Sequence, residues 1–233
     1  MPSSRNRPAT DALRRQINSI LDDLYELKAV SAYNISYLDE NSGRVSWARK
    51  STDPMIADFD HITVENYLQW VDQDDYSALL PDGSMLQLTY TLSAASIVGH
   101  RLCYVPSPIT SLGEWASKPE KDTWLGSDYA VIVVDRLTES HSHAALRSVV
   151  RFDYDPANAG VGHPASHLTI NSVDCRIPCI APLSPGEFIG FVFEHFYPAE
   201  KLRLSAFFDS LPQPKRKENL IPDSHTNAIH IAW

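Results

Sequence analysis

Two neighbouring stretches of the chain bring together residue types that can do acid and base chemistry on a phosphate group. They lie within residues 151–171, RFDYDPANAGVGHPASHLTIN. Alternation along a β-strand collects the polar side chains of each stretch on one face. These side chains are Arg151, Asp153 and Asp155 on the first stretch, and His167, Thr169 and Asn171 on the second. If the apolar residues of both strands face one core, all of these polar side chains lie together.

The predicted cluster contains the groups that metal-independent phosphoryl chemistry needs. An imidazole titrates near neutral pH, a carboxylate orients it, and a guanidinium holds phosphate through two parallel hydrogen bonds. One hypothesis is therefore a ribonuclease or phosphodiesterase in which His167 is the general acid or base, Asp153 orients it and Arg151 binds phosphate. The further ligand-binding residues of this hypothesis are His163, Asp155, Thr169 and Arg101.

Three other interpretations fit the same stretch. An exposed sheet face would carry ordinary Arg–Asp ion pairs, which contribute little to stability, and His163 would then have a structural role beside Pro164. A zinc site is the second, because His163 and His167 have the same spacing as Cys175 and Cys179. The third is a harder divalent ion held by aspartates and histidines. We predict no cofactor, with zinc or another divalent ion left open.

The overall charge argues against nonspecific electrostatic binding of nucleic acid. The chain has 233 residues and a formal net charge of −9, whereas nonspecific binding depends on lysine and arginine replacing condensed counterions. Contact with RNA or a nucleotide therefore needs a local basic patch.

Cysteine usage and hydropathy predict the cellular compartment of the protein. The three cysteines are an odd number, and no apolar run follows the N-terminal arginines as it would in a secretory signal, so we expect reduced thiols. No apolar run reaches the roughly 18 residues that span a bilayer. We therefore expect a soluble, cytoplasmic protein without membrane contact.

Apolar spacing predicts two main helices. From Thr10, apolar residues recur at helical spacing to about residue 29. This stripe faces the core in the simpler interpretation and binds a protein partner in the alternative. A second helix begins after the N-cap Ser184, with Pro185 in its first turn and Glu187 completing a capping box. We expect His195 to lie on the buried face of this helix.

The other patterns predict strands and one shorter helix. Alternation around the turn at Gly43 predicts a hairpin, and a helix capped by Thr63 follows. Two longer strands are predicted between Leu86 and Pro106, and the apolar run at 128–137 predicts a strand buried on both faces.

These elements predict a single folded unit of the α+β class. Its mostly antiparallel sheet is packed on one side by two main helices, at 11–29 and 185–197. The expected divisions are a disordered lead at 1–9 and one domain at 10–233, with a helical and hairpin part at 10–80 and a core at 85–200.

The chain resembles a family of bacterial proteins of unknown function in five motifs. They are QLTYTL at 87–92, HRLCYVPSP at 100–108, RFDYDP at 151–156, HPASHLTI at 163–170 and RIPCIAPLSPGEFIGFVFEHFYP at 176–198. The resemblance implies no catalytic assignment. By analogy it implies association with mobile-element or antiviral defence loci.

Two functions from different classes follow. The first is a cytosolic bacterial protein whose polar sheet face, with Arg151, Asp153, His163 and His167, binds a phosphate-bearing ligand or RNA and acts on it as a metal-independent nuclease. The second is a non-catalytic subunit that docks on a protein partner through its N-terminal helix or exposed aromatic residues. The sequence leaves open whether the protein is an enzyme.

Overall fold

The computed structural model describes residues 7–47, 63–93, 96–108, 147–212, 219–221, 223 and 229–232, without the side chains of residues 7–10. Within these residues the helices are α1 (Arg7–Glu26), α2 (Val64–Asp72), α3 (Pro185–Phe196), α4 (Pro198–Arg203) and α5 (Ser205–Ser210). The strands are β1 (Ala32–Tyr33), β2 (Tyr37–Asp39), β3 (Arg44–Ser46), β4 (Ala78–Leu79), β5 (Met85–Ser93), β6 (Ser96–Val105), β7 (Val150–Tyr154), β8 (Ser166–Ile170) and β9 (Arg176–Pro178). None of the helices described is long and apolar enough to cross a membrane.

The strands of the described residues form one antiparallel sheet. Its main path runs β1, β4, β5, β6, β7, β8, β9, and the β2–β3 hairpin joins it where β3 pairs with β5. Each strand pair in this path is antiparallel. The predicted α+β class, the hairpin and the two longer strands are thus confirmed.

Three helices cover one face of the sheet and form the main core. The buried residues of this core include Ile17, Leu21 and Leu24 of α1, Phe188, Ile189, Val192 and Phe193 of α3, Phe208 of α5, and Leu86, Leu88, Leu102, Phe152 and Leu168 of the sheet. The predicted packing of the sheet by the two main helices is confirmed. Because the apolar stripe of α1 is buried inside the chain, a protein partner of this helix would have to contact its other sides.

The start of α3 follows the sequence signal closely. The Ser184 hydroxyl accepts from the Glu187 amide, and the Glu187 carboxylate accepts from the Ser184 amide, which completes the predicted capping box. The prediction for His195 is wrong, because its side chain is exposed. The buried residues of α3 end at Phe193. His195 lies in the last turn of the helix, where Glu194 and Phe196 are exposed as well.

His100 connects β6 to the segment that leads into α3. Its Nε2 accepts a hydrogen bond from the Leu183 amide at 3.0 Å, so the neutral ring is protonated at Nδ1. The side chain is buried beside Tyr90 and Tyr154. Burial lowers the pKa of His100 to about 4, although the negative charge of Asp153 opposes this shift.

The second face of the sheet also carries an apolar cluster, which the one-sided prediction did not include. Tyr67 and Val71 of α2 pack there with Met85, Cys103 and Val105. The helix begins as predicted at the N-cap Thr63. One end of this second face is therefore closed by α2.

One helix begins earlier than predicted, and one predicted strand cannot be compared with the structure. Helix α1 begins at Arg7 rather than after Thr10, so part of the predicted disordered lead is helical. Pro8 fits the first turn because the amide that it lacks has no partner within the helix there. The strand predicted at 128–137 lies outside the described residues.

Candidate functional site

The register of strands β6 to β8 brings the predicted residues side by side. Asp153 lies directly opposite Arg101 in β6 and His167 in β8, and Arg151 lies opposite Thr169. Directly opposed side chains in an antiparallel pair have Cβ atoms about 5 Å apart. We call this group, consisting of Arg101, Arg151, Asp153, His167 and Thr169, the polar face.

The Asp153 carboxylate is shared by two guanidinium groups. Oδ2 accepts from Arg151 Nε at 2.6 Å, and Oδ1 accepts from Arg101 Nε at 3.1 Å. The side chains of Arg151 and Asp153 are 10% and 6% exposed, whereas that of Arg101 is 36% exposed. Within the described residues the Arg101 side chain makes no hydrogen bond other than the one to Asp153.

His167 is held in one tautomer beside this ion pair. Its Nδ1 lies 2.8 Å from the Pro164 carbonyl oxygen, which can only accept, so Nδ1 is the protonated nitrogen. Nε2 lies 3.6 Å from Asp153 Oδ2, beyond hydrogen-bond distance. Burial lowers the pKa of His167 below its usual value, and the Asp153 charge only partly opposes this. The neutral ring therefore presents a basic nitrogen that faces a carboxylate.

His163 lies next to His167, on the loop that joins β7 to β8. The two ring centroids are 4.9 Å apart in an edge-to-face arrangement. The Nδ1 atom of His163 lies 2.7 Å from the carbonyl oxygen of Asn158, at the end of a short 3-10 turn that covers Pro156–Asn158. His163 is half-buried, so it lies between the buried polar face and the solvent.

Thr169 has a buried hydroxyl without a partner in the described structure. Its side chain is fully buried, and Oγ1 makes no hydrogen bond. An unsatisfied buried polar group costs about 1–3 kcal/mol, so such a group in a folded protein calls for a water molecule or a ligand. Thr169 lies opposite Arg151 on one side and Arg176 of β9 on the other.

Two of the six polar residues predicted to lie together are separated from the others. The Asp155 carboxylate accepts from Asn158 within the loop, and Asn171 adopts a left-handed φ of 64° and accepts from the Ser148 hydroxyl. In the described structure neither has a hydrogen bond to the polar face. Alternation fails for them because both lie beyond the ends of their strands.

The polar face is buried, which contradicts the interpretation as an exposed sheet surface with ordinary ion pairs. His167, Asp153 and Arg151 are 2%, 4% and 8% exposed as whole residues. The cluster under α2 adjoins it on the same side of the sheet, since Cys103 belongs to that cluster and pairs with Arg151. Interactions between charges are stronger here than at a solvated surface.

Arg176 also lies close enough to the polar face to act on His167. The Asp153 charge raises the pKa of His167, whereas His163 and Arg176 lower it. Arg176 was not predicted as a site residue, because its strand is too short to show an alternating pattern. Its register opposite Thr169 places it at the edge of the same face.

No metal-binding group is found within the described part of the chain. No three His, Cys, Asp or Glu side chains there are arranged to hold a metal ion, so the four residues of the proposed zinc set are not brought together. Cys175 is exposed, whereas Cys179 is buried and burial raises its pKa to about 12. Burial likewise raises the pKa of Cys103 to about 12, which disfavours the thiolate form that binds metals.

The chain is a member of the DUF2290 family. The model of this family, described as an uncharacterized conserved protein, matches residues 29–233. The match includes every strand of the sheet and the whole polar face. The resemblance to an uncharacterised family is thereby confirmed. No curated protein and no solved structure matches the chain.

Proposed function

We propose that the polar face binds a phosphate-bearing ligand, such as a nucleotide or RNA. The observation that supports this most strongly is the sharing of one carboxylate, that of Asp153, by the guanidinium groups of Arg101 and Arg151. Both guanidinium groups bond to this one carboxylate, and Arg176 adds a positive charge nearby. An anion near the partly exposed Arg101 would receive hydrogen bonds from its terminal nitrogens.

The unsatisfied hydroxyl of Thr169 supports the same proposal. A phosphate oxygen could accept from Oγ1 and remove the cost of leaving it unpaired. Inside a buried site each such hydrogen bond is stronger than in water, because the local dielectric constant is lower. The net charge of −9 for the whole chain means that a local site of this kind, rather than a basic surface, would bind the nucleic acid.

We further propose that the bound ligand is cleaved without a metal ion. Neutral His167 offers Nε2 as a general base, and Asp153 Oδ2 at 3.6 Å would stabilise the imidazolium that forms when Nε2 takes up a proton. Arg101 and Arg151 would neutralise charge on the phosphoryl oxygens. The residues assigned to catalysis are therefore His167, Asp153 and Arg151, with His163, Thr169 and Arg101 in ligand binding.

One observation favours a second candidate, a non-catalytic subunit that binds a protein partner. His167 is 2% exposed, so a substrate would have to displace neighbouring groups to reach its Nε2. In this case the buried Arg–Asp–His cluster would fix the strand register, and any phosphate-bearing ligand would stay intact. For either candidate we propose a bacterial cytoplasm and a defence or mobile-element system as the setting.

The two candidates differ in what the purified full chain does to RNA in the presence of EDTA. The proposal predicts that the wild type binds and cleaves a short RNA, and that H167N lowers the cleavage rate by about 100-fold or more with binding changed less than threefold. R101Q should weaken binding at least tenfold. The matched control R15Q removes an arginine that is 65% exposed and pairs with Asp11 in α1, and it should change neither.

Each alternative result has a definite meaning. Binding that depends on Arg101 without any cleavage would support the non-catalytic candidate. Binding that is equally strong in R101Q, or absent in the wild type, would contradict the assignment of the polar face as the ligand site.

A further inference from the structure

The two neighbouring histidines are held in the same way. His163 uses Nδ1 on the Asn158 carbonyl at 2.7 Å, and His167 uses Nδ1 on the Pro164 carbonyl at 2.8 Å. Because a carbonyl oxygen can only accept, Nδ1 is the donor in both rings. The nitrogen that remains for proton transfer is therefore Nε2 in each case. One hydrogen bond to a backbone carbonyl thus fixes each ring and leaves its Nε2 for proton transfer.

The two rings are close enough to act on one phosphate group. Their centroids are 4.9 Å apart and their planes are inclined by 61°. The rings therefore neither stack face to face nor occupy separate sites. Arg101, whose Nε bonds to the same carboxylate that faces His167, lies in β6, and β7 separates it from the strand of His167.

The surroundings of the two rings differ in a way that suits different roles. His167 is buried and its Nε2 faces the Asp153 carboxylate, which favours the ring as a proton acceptor. His163 is half-buried on the loop that precedes β8, between the buried polar face and the solvent. A positive charge on His163 opposes protonation of His167, which keeps His167 in the neutral form that can accept a proton.

We infer that His163 and His167 form a general acid and base pair that cleaves RNA through its own 2′-hydroxyl group. This inference rests on the proposed phosphodiesterase function and names its substrate class. His167 Nε2 removes the 2′-hydroxyl proton, and the 2′-oxygen forms a bond to phosphorus while the bond from phosphorus to the 5′-oxygen breaks. His163 Nε2–H gives its proton to the departing 5′-oxygen.

The step is balanced without any additional reactant. One proton is taken from the 2′-oxygen and one is delivered to the 5′-oxygen, so the pair ends with its protonation states exchanged. The products are a 2′,3′-cyclic phosphate and a free 5′-hydroxyl group. DNA lacks the 2′-hydroxyl nucleophile, so the pair would bind it without cleaving it.

The test uses two chemically altered RNA substrates with the purified full chain. In one, a single 2′-deoxy nucleotide replaces the nucleotide at the cleavage position. In the other, sulfur replaces the bridging 5′-oxygen, and this leaving group departs without needing a proton. The variants are H163Q and H167Q, with the exposed His195 changed in H195Q as the control, and each is checked for an unchanged thermal unfolding midpoint.

The inference predicts a distinct pattern of rates. The wild type should yield 2′,3′-cyclic phosphate ends and should not cleave at the 2′-deoxy position. H163Q should cleave ordinary RNA about 100-fold more slowly but the sulfur-containing RNA within threefold of the wild-type rate. H167Q should be slow on both substrates, and H195Q should match the wild type.

The failures can be told apart. Cleavage of DNA, cleavage at the 2′-deoxy position, or an H163Q rate that sulfur does not restore would overturn the paired mechanism while leaving the proposed phosphodiesterase function standing. Binding of RNA without any cleavage would overturn the mechanism and leave only ligand binding. Absence of binding would overturn the proposed function itself.

Discussion

Replacing Asp153 by asparagine tests the buried ion pair that its carboxylate forms with Arg151. The substitution keeps the size of the side chain and removes its negative charge. Arg151 Nε, now 2.6 Å from Asp153 Oδ2, would face a neutral amide while remaining about nine-tenths buried. Arg101 would lose its partner as well, although its greater exposure lets water replace part of that interaction.

The expected loss follows from the difference in burial between two ion pairs of similar length. Removing one partner of a buried pair costs about 3–5 kcal/mol, because the remaining charge loses a counter-charge in a place that water solvates poorly. The matched control is E200Q, which removes the carboxylate that Arg203 contacts at 2.6 Å with both side chains nearly half exposed. Exposed pairs of this type contribute about 0–1 kcal/mol.

The assay is urea unfolding of the full chain, followed by intrinsic fluorescence at pH 7. We expect D153N to lower the free energy of unfolding by about 3 kcal/mol or more, and E200Q by less than about 1 kcal/mol. Equal and small losses in D153N and E200Q would contradict a large contribution of the Asp153 carboxylate to the stability of the buried cluster.

Three further predictions concern the framework around the polar face. Burial lowers the pKa of His100 to about 4, so below pH 6.5 the unfolded chain binds a proton at this residue and the folded chain does not. The free energy of unfolding should therefore fall by about 2 kcal/mol from pH 7 to pH 5 in the wild type relative to H100Q. Urea unfolding at each pH measures this difference. S184A removes the hydroxyl that caps α3 and should lower the free energy of unfolding by about 1 kcal/mol, and no loss would show that the cap is dispensable. Gly43 has φ 71°, and an added Cβ would lie 2.5 Å from the Leu92 carbonyl oxygen. G43A should therefore lower the thermal midpoint, whereas the control G160A, where an added Cβ meets nothing within 4 Å, should leave it within about 1 °C.

The sequence predicted the grouping of the polar face because strand alternation is a local property. Once β6, β7 and β8 pair, the two-residue period fixes which side chains share a face, and Arg151, Asp153 and His167 followed from it. The same rule failed at Asp155 and Asn171, since no strand continues through them. The capping box of α3 was also predictable, because each of its bonds is made within four residues.

Burial of the polar face could not be predicted from the same pattern. Gln87 and Thr89 alternate with Leu86 and Leu88 as they would in a sheet with one solvated face. The structure nevertheless buries both polar residues. Which side chains cover a sheet depends on contacts between segments far apart in the chain, such as α2 with the strands beneath it. The tautomers of His163 and His167 likewise depend on backbone carbonyls that no side-chain pattern reveals.

If the polar face is an anion site reached through Arg101, phosphate must change the surroundings of the two histidines beside it. The most direct test is to add inorganic phosphate to the full chain and follow the imidazole proton resonances of His163 and His167 by NMR, with the exposed His195 as an internal reference. We expect the resonances of His163 and His167 to shift in a saturable way in the wild type and in R15Q and to stay in place in R101Q. Those of His195 should stay in place throughout. Unchanged resonances of both histidines in the wild type, or the same shift in R101Q, would contradict an anion site at the polar face.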